Sequence, residues 1–155
     1  MTLPLDTLFR VLNGAVLPAW ALLVFAPRWA WTRRLVHSGL VPALYGAAYV
    51  ALIAVTFATG AVPEGAGADT LGGVVQLFSS PALALVGWVH YLCFDLFVGA
   101  WMGRDAQRLG LPHLAVAPCL VATLFYGPAG LLAYLVLRAA MRKATTLEEP
   151  AAARA

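Results

Sequence analysis

Charged side chains are scarce in this chain, and the few present are spread unevenly. Aspartate, glutamate, lysine and arginine make up 11% of its 155 residues, against about 25% in an ordinary soluble domain. None occurs in residues 11–27, 35–63 or 109–137, and residues 70–103 hold only Asp95. A water-facing surface cannot be built from such stretches. Cysteine is also rare: Cys93 and Cys119 are the whole complement. Both fall within apolar runs, which excludes a disulfide framework and suits small packing residues. The net charge of +3 is too small to mark a nucleic-acid binder. The N-terminal run lacks the marks of a cleaved signal peptide, since Asp6 stands beside Arg10, Pro18 interrupts the run, and no small-x-small site follows before Arg28. No transit-peptide-like extension precedes it either.

What is present is apolar length. Hydrophobic residues make up 62% of the chain, and a helix needs about 20 of them to cross a hydrocarbon layer roughly 30 Å thick. The four uncharged or nearly uncharged stretches therefore predict an all-α, polytopic membrane protein. Its four transmembrane helices fall at about 6–25, 40–59, 81–103 and 114–137, in one domain covering 1–143. Residues 144–155 read as a disordered tail. Leu71, Val74, Val75 and Phe78 recur at helical spacing and predict a short interfacial helix between the second and third spans. Ser80 before Pro81 reads as an N-cap with proline at the first helical position. The Gly127–Pro128 dipeptide predicts a kink in the last helix.

On this topology residues 28–38 and 104–113 share one side of the membrane, and 61–80 and the C-terminus share the other. Arg28, Arg33, Arg34, Arg104 and Arg108 then oppose Arg10, Arg138, Arg142, Lys143 and Arg154, so the positive-inside rule ties. Weighting the first helix places both termini outside. Arg138 reads as a snorkelling anchor.

The third span carries the chemistry. Asp95 and His90 bracket its midpoint, where an ionised carboxylate is costly and an ionisable residue is a functional candidate by default. At about 100° per residue, Trp88, Tyr91, Asp95 and Gly99 share one face, while His90 points about 140° away from Asp95. Gly99 would admit a neighbouring helix or a flat ligand. Asn13, Tyr45, Tyr49, Thr123 and Tyr126 should lie at similar depth and complete a polar network in an aromatic cavity. Arg104, Asp105 and His113 form a second polar group at the interface. His90, Asp95, Asp105 and His113 lack any recognised ligand spacing, so neither metal nor cofactor is expected. The plain alternative for each of these residues is a hydrogen bond that holds helices together.

Asn13 with Leu17-Pro-Ala-Trp20, then Trp88–Trp101, Asp105, Pro112–His113, and Phe125-Tyr-Gly-Pro-Ala-Gly-Leu-Leu-Ala-Tyr134 with Arg138 resemble the abscisic-acid-deficient-4-like family. These are small four-span proteins that include the plastid neoxanthin synthase component. The block His90-Tyr-Leu-Cys-Phe-Asp95-Leu-Phe-Val-Gly99 is the specific part. The resemblance implies a place in carotenoid or isoprenoid metabolism and a non-redox isomerase. There Asp95 would be the acid, His90 or a tyrosine would assist, and Asn13, Trp88, Tyr91, Gly99 and Tyr126 would line the site of a carotenoid-like lipid. Lacking a plastid extension, the chain reads as a bacterial-type member in a cytoplasmic membrane, with membrane lipid around it. The alternative is a non-catalytic membrane protein that binds a carotenoid or a partner protein and stabilises it.

Overall fold

A computed structural model describes residues 4–147. It is all-helical among those residues. The order is α1 (Leu5–Phe25), α2 (Ala30–Thr32) running into a π-helical turn (Arg33–His37), α3 (Leu40–Ala58), α4 (Leu71–Ser79), α5 (Pro81–Arg108) and α6 (His113–Arg142). Four helical stretches are long and apolar enough to cross a membrane: Leu5–Phe25, Ala30–Ala58, Pro81–Arg108 and His113–Arg142. Packing supports the same solvent. Phe25, Val50, Phe57, Leu114 and Phe125 point outward, while Asp105, Arg138, Thr123, Thr32 and Thr56 are buried. Apolar outside and polar inside is the order that lipid favours and water opposes.

The helix ends follow from local chemistry. α5 starts with Pro81 at its first position, where a missing N–H costs nothing. Ser80 occupies the N-cap position, but its hydroxyl donates to the Ala61 carbonyl (3.0 Å) and ties the long connection to α5 rather than capping it. The interfacial helix α4 is instead capped by Thr70, whose hydroxyl accepts from the Gly73 N–H at 3.0 Å. Leu71, Val75 and Phe78 of α4 face outward, and the Phe78 ring lies where a Cβ on Gly87 of α5 would stand 2.7 Å away. The basic stretch before α3, expected as a connection, is largely helical. Its last turn widens to π geometry, and Gly39 at φ +81° reorients the chain into α3.

α5 is the central rod, packed by α3, α6 and α1. α1 runs parallel to it: Phe9 and Asn13 meet Trp88, Trp20 meets Gly99, and Leu23 reaches Gly103.

α6 departs most from expectation. A straight helix of its 30 residues would be about 45 Å long. Instead, the Arg142 side chain donates to the Gly110 carbonyl at 2.5 Å, and Arg138 Nε lies 3.2 Å from Asp105. The reversal occurs at Tyr126 (φ −138°, ψ 30°) and Gly127 (φ 19°, ψ −85°), just before Pro128. Residues 113–125 climb along α5, and residues 128–142 descend beside them. Gly130 permits this contact, since a Cβ there would overlap Thr123 of the climbing arm. The expected kink is thus a full hairpin turn. As a correction to the straight-helix topology, residues 138–143 lie at the same end of the bundle as 104–113 rather than at the opposite end. Arg138, 2% exposed, is no snorkelling anchor. Of the expected tail, residues 144–147 are irregular chain and residues 148–155 lie outside the described residues.

Candidate functional site

Asp95 sits on α5 at the level of the hairpin tip. A Cβ placed on Gly127 would come within 2.5 Å of Asp95 Oδ1 and 2.9 Å of Oδ2, so the carboxyl packs directly on the interrupted backbone of α6. Oδ2 is buried and has no hydrogen-bond partner among the described residues. Tyr91, one turn earlier, stands beside the carboxyl and donates to the Leu124 carbonyl at 3.1 Å. That carbonyl belongs to the last turn of the climbing arm, where helix carbonyls lack intrahelical donors. The broken helix therefore gives Tyr91 its acceptor and leaves Asp95 an unshared oxygen.

An aromatic groove runs from the other end of the bundle as far as Tyr91, Leu92 and Leu124. Trp88 Nε1 donates to Asn13 Oδ1 at 3.1 Å, and the Trp88 ring contacts Phe9 (5.7 Å) and Tyr91 (5.2 Å). Two cavities share the Trp88 wall. One, of about 320 Å³, is lined by Leu5, Asp6, Phe9, Pro81 and Leu85. The other, of about 250 Å³, is lined by Asn13, Val16, Leu17, Tyr91, Leu124 and Phe125. Together they mark a strip from the start of α5 to the hairpin tip. From Pro81 to Leu92 this is about 16.5 Å of helix rise.

The other sequence candidates lie elsewhere. His90 faces away from Asp95, between Tyr49 (5.7 Å) and Phe94 (4.6 Å). It lines a separate cavity of about 500 Å³ formed with Ile53, Phe57, Phe78 and Gly87. Gly99 is covered by Trp20, whose ring would stand 2.7 Å from a Cβ there; its close approach serves helix packing. Tyr126 points outward, 72% exposed. Tyr45 donates to the Leu12 carbonyl (2.5 Å) and Thr123 to the Cys119 carbonyl (2.8 Å), so the expected polar network is dispersed among separate backbone acceptors.

The second polar group also divides. Arg104 donates to the His37 carbonyl (3.0 Å) and His113 to the Val24 carbonyl (2.7 Å); both satisfy carbonyls at helix ends. Asp105 instead anchors a buried cluster. Arg108 pairs with its Oδ1; the Tyr134 hydroxyl donates to Oδ2 at 2.5 Å, with Arg138 Nε 3.2 Å from the same oxygen. The Arg138 guanidinium also lies 5.7 Å over the Trp101 ring and donates to the Thr146 carbonyl (2.9 Å). Tyr134 and Arg138 were not singled out as partners of Asp105 by sequence reasoning. Their i, i+4 spacing put them on one helix face, but only the hairpin brings that face to Asp105. Among the described residues no three of His, Cys, Asp and Glu gather as a metal site would require.

Comparison with known proteins gives the family. No solved structure matches the chain. A curated relative, "Protein ABA DEFICIENT 4, chloroplastic" of Arabidopsis thaliana, is 26% identical over 146 residues. That match takes in 86% of this chain and 61% of the relative, so the chain spans less than two thirds of the relative's length. The family model described as "ABA DEFICIENT 4-like" matches residues 7–134, which runs from α1 through the Asp95 block and the hairpin tip into the descending arm. The chain belongs to the ABA DEFICIENT 4-like family.

Proposed function

We propose that this protein acts inside the bilayer on a long, apolar isoprenoid of the carotenoid class, and that Asp95 is the acid of a non-redox isomerisation. The observation that carries this reading is the buried Asp95 Oδ2, which meets no hydrogen-bond partner among the described residues and lies one helical turn beyond Tyr91, a residue of the groove wall. A carboxyl used only to hold helices together would be expected to have its oxygens satisfied. Trp88, Phe9 and Tyr91 offer flat apolar surfaces to a polyene, and Asn13 offers a polar atom where a terminal oxygen could rest.

The chemistry balances on one carboxyl. For an epoxide-bearing substrate, Asp95 delivers its proton to the ring oxygen as the C–O bond opens. A proton then leaves the adjacent polyene carbon and restores the acid, with no electron donor or acceptor consumed. Tyr91, whose hydroxyl donates to the Leu124 carbonyl, stands beside the carboxyl on the same helix. His90, on the opposite face, takes no part in this step.

The test is conversion of an epoxy-carotenoid by membranes containing matched amounts of wild type and Asp95→Asn. The amide keeps shape and polarity but cannot donate an acidic proton, so product should be abolished while protein level stays near wild type. Full activity in Asp95→Asn would end the acid assignment.

A binding role is favoured by a different observation: apart from Asp6 at its mouth, the groove is lined by no charged side chain. In that case an unchanged pigment copurifies with the protein, Trp88→Leu reduces its amount, and no product forms with any variant.

A further inference from the structure

The hairpin of α6 changes how the molecule meets the membrane, whatever its reaction. Three contacts fix its levels. Gly127 lies against Asp95, Arg138 against Asp105, and Arg142 against Gly110. Each arm rises only about 20 Å, short of the roughly 30 Å hydrocarbon layer. Non-helical backbone is tolerated at membrane depth where protein covers it, and Gly127 at the turn is buried.

The charges sort accordingly. Arg28, Arg33, Arg34, Arg104, Arg108, Arg138, Arg142 and Lys143 all lie at the end where α6 starts and finishes. Of the described lysines and arginines only Arg10 lies at the other end, with Asp6, Glu64 and Asp69. Trp29 and Trp31 are exposed at the basic end, and Arg34 lies 6.0 Å over the Trp31 ring, an arrangement suited to headgroup depth.

We infer that the chain crosses the membrane three times, that residues 113–142 enter and leave through the same face, and that this basic face is the cytoplasmic one, seated on anionic phospholipid headgroups. The tie in the positive-inside count came from drawing α6 as a fourth crossing. With the hairpin the count among the described residues becomes eight to one, and the rule has a direction. The N-terminus then lies outside and Arg142 inside, and acidic headgroups attract the exposed cations of that face.

The experiment uses the full chain with Cys93→Ala and Cys119→Ala, and single cysteines introduced by Ser38→Cys, Asp69→Cys or Lys143→Cys, probed with a membrane-impermeant maleimide. Asp69→Cys should label in intact cells. Ser38→Cys and Lys143→Cys should stay unlabelled until lysis and then rise severalfold. Lys143→Cys labelling together with Asp69→Cys would overturn the hairpin. Ser38→Cys and Lys143→Cys labelling in intact cells would overturn the cytoplasmic assignment. A fluorescent protein that matures only in the cytoplasm, fused after Ala155, gives an independent readout: it should fluoresce, and a dark fusion at normal abundance counts against the proposal. For the headgroups, thermal midpoints are compared in phosphatidylglycerol-containing and pure phosphatidylcholine vesicles. The midpoint should be higher with the anionic lipid, and the difference should shrink in Arg33→Gln/Arg34→Gln/Lys143→Gln. Equal midpoints for wild type would remove the headgroup assignment.

Discussion

Asp105 answers a guanidinium on its own helix, a second guanidinium from the returning arm, and a phenol. Removing one partner of a buried pair leaves the other charge uncompensated, a loss of about 3–5 kcal/mol. Asp105→Ala should therefore lower the thermal midpoint in detergent sharply, and Asp105→Ala/Arg138→Met should recover much of it, because the stranded cation is gone. Equal midpoints for the single and double variants would show that Arg138 does not depend on Asp105. At Asp95 and His90 the expectation is opposite in kind. His90→Asn should keep most conversion and Asp95→Asn none, at matched protein levels, since His90 lines a separate cavity while Asp95 packs on the hairpin turn. Near-complete loss in His90→Asn would bring the imidazole back into the site. Asp95 could be picked out from sequence because a carboxylate in the middle of an apolar run is costly wherever the run packs. The opposed directions of His90 and Asp95 followed from helix periodicity alone. Arg138 was misread because its depth depends on the path of the chain after Gly127, and nothing local to Arg138 records that path.

The helices themselves were largely readable from apolar length, and α4 from its periodicity. The reversal in α6 was not. Hydropathy is the same for a helix that continues and one that turns back, and Gly127–Pro128 marks a break without giving its angle. What decides the angle is tertiary: small residues at Gly127 and Gly130, and the carboxyl of Asp95 against the turn. Gly127→Ala should disturb that contact, because the added Cβ would stand 2.5 Å from Asp95 Oδ1. The expected outcome is a lower thermal midpoint, partly restored in Gly127→Ala/Asp95→Ala. No change in Gly127→Ala would mean that the turn is not packed on Asp95. Gly99→Val tests the α1–α5 contact in the same way. Trp20 must move to admit the side chain, at a cost of about 1–3 kcal/mol read as a lower midpoint without loss of insertion.

At the scale of the whole molecule, half-depth arms make the two ends of the bundle unlike. Near the basic end, α1, α3, α5 and both arms of α6 fill the cross-section. Beyond the hairpin tip, among the described residues, only α1, α3 and α5 continue, with α4 laid against them. The aromatic groove occupies that thinner half, and its floor is Leu124 and Phe125 at the tip. In a bilayer the two monolayers are therefore not equivalent doors. On the topology and function proposed above, a long lipid reaches the groove from the monolayer opposite the basic face, and molecules confined to the other monolayer must first flip across. On that proposal the depth of the turn, more than the lining of the groove, sets which pool of lipid the protein can draw on.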